Sequence, residues 1–204
     1  MQSLFRVVLG ADFDRLAPAL KLHYDVAPGE TVLVQGEMDC WNRFEWARPL
    51  IPFSPKNGKA VPVMVRNRTI LPKIGNLRVD VPCFEWHREF RYASGTQLSY
   101  TLTHADPRNS PGCVLDMFNQ PPNIGVTLHV EVSADGRTLT QTAQGAQYAV
   151  FGSRRVALPG LFNIHTVAIE RAVDETRVQT EVVISHPLFG RLFGYSGTLA
   201  VKRV

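Results

Sequence analysis

At 204 residues and 22.8 kDa, the chain reads as one domain over residues 1–204, large enough to bury a core without a disulfide or a metal. Apolar residues at 45% and charged residues at 20% exclude wholesale disorder. The net charge of +4 is thinly spread. Its densest basic groups are the pairs Arg154-Arg155 and Lys202-Arg203, which excludes the basic stripe with stacking aromatics that a nucleic-acid surface needs.

Residues 1–26 read as a helical segment. Leu4, Val7 and Val8 fall at i, i+3, i+4. The pattern restarts after Gly10, with Asp12 placed as an N-cap and Phe13, Leu16 and Leu20 following. Pro18 argues against one smooth helix, so the expectation is two short helices joined near Gly10, packed as a plug on something larger. Ala27-Pro28-Gly29-Glu30 ends them.

From Thr31 the period becomes two, and residues 31–204 read as antiparallel β. Val32, Val34 and Gly36 alternate with Leu33, Gln35 and Glu37. Strands are then expected over 61–66, 83–92, 96–105, 114–118, 124–133, 137–150, 154–158, 164–173, 177–185 and 192–203. Asp135-Gly136 predicts a hairpin turn, and Gly145 a bulge or bend. Residues 41–79, rich in proline, read as loops and short pieces. No strand–helix alternation is present, which excludes a doubly wound parallel sheet. The fold class is mainly β: an antiparallel β-barrel, or a strongly curved sheet, with one or two N-terminal helices packed on it. Alternation places Val126, Leu128, Val130, Val178, Val182 and Ile184 on the inner face. The ligand-facing set is expected to include Phe84 or Trp86, Leu98, Tyr100, Val126, Leu128, Tyr148 and Phe193.

Three stretches carry a family resemblance. Leu4-Phe5-Arg6-Val7-Val8-Leu9-Gly10, with Phe13-Asp14-Arg15-Leu16 and Leu20-Lys21-Leu22-His23, is similar to the opening of the domain-of-unknown-function family numbered 4166. Trp86-His87-Arg88-Glu89-Phe90 resembles its central tryptophan–arginine–phenylalanine strand. The segment His186-Pro187-Leu188-Phe189-Gly190-Arg191-Leu192-Phe193-Gly194-Tyr195-Ser196-Gly197-Thr198-Leu199 resembles its closing turn and final strand. That family is often fused behind a dinucleotide-binding domain resembling saccharopine dehydrogenase. This chain holds no G-x-G-x-x-G, so the resemblance implies a free-standing accessory or ligand-binding module. It brings no established catalytic residues.

Candidate chemistry is sparse. Six histidines occur without paired short spacing. His104/Asp106 and His129/Glu131 are the nearest to ligand pairs, and neither has a third partner, so no metal site and no cofactor are assigned. Cys40, Cys83 and Cys113 lack a C-x-x-C pattern and read as free thiols in a reduced compartment. The chain shows neither a signal peptide nor a long apolar run, so a cytoplasmic location and no membrane span are expected. The strand around Trp86 is the most informative. Trp86, Arg88 and Phe90 share a face, so Arg88 is either an interior cation awaiting an acidic ligand or the partner of a carboxylate such as Glu181 or Asp116. The site residues are Arg88, Trp86, Tyr100, Tyr148 and Tyr195, with Arg88 as the polar anchor. Three functions follow. The first is a β-barrel module binding a small apolar or acidic-amphipathic molecule. The second is a cyclase- or isomerase-like enzyme using a polar residue in the same cavity. The third is a non-catalytic partner of a dehydrogenase-like protein.

Overall fold

The computed structural model describes residues 2–48, 51, 53–71, 73–74, 77–78, 82–105, 111–151 and 154–204, the four residues 73, 74, 77 and 78 by their backbone alone. The chain opens with α1 (Leu4–Leu9), which tightens at Gly10, where φ is +54°, into a 3₁₀ turn over Gly10–Arg15. It then restarts as α2 (Pro18–Tyr24). Pro18 therefore starts a helix instead of breaking one: it occupies the first turn, where no backbone donor is required. Asp12 makes no cap and instead pairs with Arg15 at 2.9 Å.

Among the described residues thirteen strands follow: β1 (Thr31–Asn42), β2 (Gly58–Ile70), β3 (Lys73–Ile74), β4 (Leu77–Arg78), β5 (Cys83–Tyr92), β6 (Gly95–Ala105), β7 (Cys113–Phe118), β8 (Ile124–Val132), β9 (Thr138–Phe151), β10 (Arg154–Ala157), β11 (His165–Ala172), β12 (Arg177–His186) and β13 (Gly190–Arg203). β3 and β4 form a small separate hairpin. Ten of the others close into an antiparallel barrel in the order β9-β11-β12-β13-β1-β2-β5-β6-β7-β8, with β8 returning to β9. β10 adds to the distal half of β9, on the edge that β11 leaves free. Closure gives each barrel strand a neighbour on both sides. Each barrel strand pairs with its neighbour in sequence, apart from the seam of β1 with β13. β2 is longer than its alternation suggested, because Pro62 falls where it points outward and the register to β1 runs on through it.

Two glycines do specific work. Gly136, at φ +69°, turns β8 into β9, and its carbonyl accepts the Ala17 backbone N–H at 2.9 Å. A side chain there would collide with the Arg15 carbonyl. Gly145, at φ +79°, lies in the bulge where pairing skips from Val126↔Gln147 to Leu128↔Ala143, as the sequence led one to expect.

The N-terminal segment seals one end. Phe5 packs edge-on to Tyr24 at 4.4 Å and to Phe84 at 5.4 Å, and Phe84 to Trp86 at 4.8 Å. Phe5, Tyr24 and Phe84 are fully buried. Arg6 locks the segment by pairing with Asp25 at 2.8 Å and Asp14 at 2.9 Å while lying over the Phe13 ring. At the other end the loop after β1 folds across the mouth, with Phe53 stacked on Phe118 at 4.8 Å and edge-on to Phe193. Asn42 holds this loop by donating to Ser54 Oγ and the Pro55 carbonyl, and Gln97 donates to the Ser54 carbonyl. Val126, Leu128, Val130, Val178, Val182 and Ile184 face inward as the alternation indicated. Among the described residues no helix is long and apolar enough to cross a membrane.

Candidate functional site

Between the two plugs lies an interior cavity of about 80 Å³. That is room for several waters and lies below the usual range for ligand pockets, so it suits a compact molecule. Part of the lining is apolar, with Val34, Met38, Val65 and Leu128 on the walls and Phe53 and Phe193 at the mouth. Polar groups stand among these at unusual density for an interior.

β5 supplies the first of them. Its inward row is Phe84, Trp86, Arg88 and Phe90. The Arg88 guanidinium lies 5.0 Å from the Trp86 ring, and one of its nitrogens donates to Thr101 Oγ1 at 2.9 Å. Among the described residues no carboxylate stands within salt-bridge distance of it. Asp116, on β7, faces the same space and acts on Arg88 only through its field. The Trp86 indole N–H donates to Thr103 Oγ1 at 2.9 Å, and that hydroxyl donates to Asp116 Oδ1. Burial pushes the Asp116 carboxyl up to about 6, against the opposing pull of the Thr103 hydroxyl and the Arg88 charge. Glu181, the other partner considered for Arg88, lies on the outer face of β12 and faces Arg171 at 3.7 Å.

The second polar group comes from the helical plug. His23, in the last turn of α2, enters the cavity wall with 2% of its surface exposed. Its ring stacks on Tyr24 and meets Trp86 edge-on at 5.5 Å. Nδ1 lies 3.0 Å from Glu170 Oε2 on β11. Glu170 is 6% exposed and also accepts from the Thr180 hydroxyl on β12 at 3.2 Å, while Gln141 donates to the Tyr24 hydroxyl at 3.2 Å. Burial alone would push the Glu170 carboxyl up. The charge and close approach of His23, with the Tyr24 and Thr180 hydroxyls, outweigh it and hold Glu170 below the usual carboxylate range. Tyr195 on β13 completes the lining, its phenol pushed up by burial.

Of the five site residues expected, the barrel brings Trp86, Arg88 and Tyr195 together at the cavity. It places Tyr100 and Tyr148 on the outer face. Tyr100 pairs across from His87 and donates to Glu85 Oε1 at 2.7 Å, and Tyr148 sits opposite Gly125. Leu98, expected inside, is 67% exposed. The inward row of β6 is instead Gln97, Ser99, Thr101 and Thr103. The signal that resolves this lies in the turn. A two-residue loop, Ala93-Ser94, pairs Tyr92 with Gly95 and hence Arg88 with Ser99. Antiparallel partners share a face, so an inward Arg88 requires an inward Ser99. His23, Glu170, Thr180 and Gln141 had no such signal, since their contacts join elements far apart in the chain.

His129 and Glu131 are 3.3 Å apart on the outer face, 35% and 69% exposed. Asp106, partner of His104 in the other candidate pair, lies outside the described residues. Among the described residues no group of three or more His, Cys, Asp or Glu stands together as a metal site would require. Cys40, Cys83 and Cys113 are buried and form no disulfide. Burial raises all three thiols, Cys40 to about 11 and Cys83 to about 12, so none is an activated nucleophile.

Fold and interior together define an antiparallel meander barrel, plugged at one end by helices and enclosing a half-polar cavity. A family model described as "Domain of unknown function (DUF4166)" matches residues 16–199, and the chain belongs to that family. No curated protein matches it.

Proposed function

We propose that this barrel is a small-molecule-binding module whose ligand is compact, apolar along most of its surface and acidic at one end. One observation carries the reading: a guanidinium inside the barrel, stacked over an indole and held by a threonine, with no carboxylate at salt-bridge distance among the described residues. Interior cations are rare unless paired, and the planar donor fork of arginine matches a carboxylate. The apolar side chains in the lining, among them Val34, Met38, Val65 and Leu128, support an amphipathic ligand over a simple inorganic anion. The cavity itself favours binding over a purely packed partner module.

Arg88→Met tests this. Titration calorimetry with a short series of carboxylates (acetate, butyrate, pyruvate) should show saturable binding to the native protein. Arg88→Met should lose it at least tenfold with a melting temperature within a few degrees of the parent. A large loss of stability with binding unchanged would make Arg88 a structural ion and end the reading.

A further inference from the structure

The same cavity contains a second feature that ligand anchoring does not use. Both ring nitrogens of His23 are buried and neither is in a well-aligned hydrogen bond among the described residues, nor is the Glu170 Oε2 that Nδ1 approaches. An unpaired buried polar atom is costly, and here Nε2 belongs to a ring whose Nδ1 is 3.0 Å from a buried carboxylate. A carboxylate beside Nδ1 favours a proton on that nitrogen, which leaves Nε2 as the nitrogen that gives up and takes a proton. Thr180 in turn holds Glu170, and the Tyr24 ring stacks on the imidazole, so the ring cannot swing. A histidine oriented by a carboxylate, with a free basic nitrogen in a cavity wall, is the arrangement that acid–base catalysis needs.

We infer that His23, oriented by Glu170, is the acid–base residue of this cavity and exchanges a proton with a compact, enolisable oxo acid whose oxygens meet Arg88. The inference rests on the binding reading above. Its geometry is set by Trp86: the His23 ring and the Arg88 guanidinium both lie within 5.5 Å of that one indole. A 2-oxo acid matches the two groups. Its carboxylate and adjacent carbonyl oxygen suit the guanidinium fork, and its C3 protons are the acidic ones. In its Nε2-deprotonated form, His23 takes a C3 proton. The C–H electron pair becomes the C=C bond of an enolate, and the carbonyl π pair moves onto the oxygen facing Arg88. Return of a proton from the imidazolium to carbon regenerates the acid, and no oxidant or reductant is consumed. The ionisable groups facing this chemistry are Tyr24 from α2, Arg88 from β5, Asp116 from β7, Glu170 from β11 and Tyr195 from β13. Glu170 acts through His23 and is a positioning residue.

The test is hydrogen–deuterium exchange at C3 of pyruvate and 2-oxobutyrate in D₂O, followed by proton NMR. Native protein should accelerate loss of the C3 signal saturably over buffer. His23→Gln should cut that exchange about 100-fold or more. Glu170→Gln should leave measurable exchange with a displaced pH–rate profile, and Arg88→Met should act mainly on KM. Native exchange no faster than buffer for both acids, or exchange unchanged in His23→Gln, overturns the inference. Should His23→Gln fail to fold, the ring ¹⁵N signals of His23 in the native protein decide. Nε2 must shift on saturation with pyruvate, and an unmoved signal overturns the inference equally. Calorimetric binding without exchange removes the acid–base role and leaves the binding reading standing. Absence of binding removes the binding reading itself.

Discussion

Asp116 shows what a polar interior costs at the scale of one side chain. Its carboxyl titrates at about 6 inside the barrel because burial penalises its charge more than Thr103 and Arg88 repay. In the unfolded chain it titrates near 3.8. Between these values the folded state holds a proton that the unfolded state has released, so stability falls as pH rises from about 4 to about 6 and is level above. The full penalty is about 3 kcal/mol. Asp116→Asn cannot ionise. Its melting temperature relative to the parent should therefore climb across that window and stay constant above pH 7, and a flat or falling difference would show that the native carboxylate is stabilised by its surroundings. Asp116 could be named from sequence as a partner for Arg88. His23 could not be placed, because a histidine ending a seven-residue helix carries no mark of the strand that will face it. The site was legible where it lies along one strand, as with Trp86 and Arg88, and hidden where the helical plug meets β11 and β12.

At the scale of elements, the strands were readable because alternation survives whichever face is buried. What alternation does not give is the side. In β6 the leucines look outward and the hydroxyls inward, the reverse of the usual rule, and only the register imposed by the Ala93-Ser94 turn reveals it. The long β2 was under-read because prolines and charges in residues 41–79 mask a strand whose register is set by its neighbours. Glycines govern the seam between β1 and β13. A Cβ on Gly197 would stand 2.1 Å from the Glu37 carbonyl oxygen, and one on Gly36 2.4 Å from that of Thr198. Both obstacles are backbone, which cannot rotate away. Gly197→Ala should therefore cost about 1–3 kcal/mol, measured by urea denaturation. A neutral effect would mean that the seam is looser than its register implies.

For the whole molecule, the plug and the barrel share one aromatic cluster. Phe5 lies against Tyr24 and Phe84, and Tyr24 against Trp86, so the helices and the cavity floor have no separate cores. Phe5→Ala should lower stability by about 3–5 kcal/mol and keep one cooperative transition by circular dichroism and tryptophan fluorescence alike. Two separated transitions would mean that the N-terminal segment docks on a barrel stable without it. The order of the strands also sets a kinetic asymmetry. Neighbouring strands of the meander are joined by connections of at most 15 residues, whereas the pairing of β1 with β13, from Val32↔Arg203 onward, joins opposite ends of the chain. That closure has the largest entropic cost and comes last. Contacts made after the rate-limiting barrier influence how fast the native state is left, with little effect on how fast it is reached. The glycine seam is accordingly a latch: weakening it should quicken unfolding and leave refolding nearly unchanged, so the lifetime of the closed barrel is set at the one joint where its two ends meet.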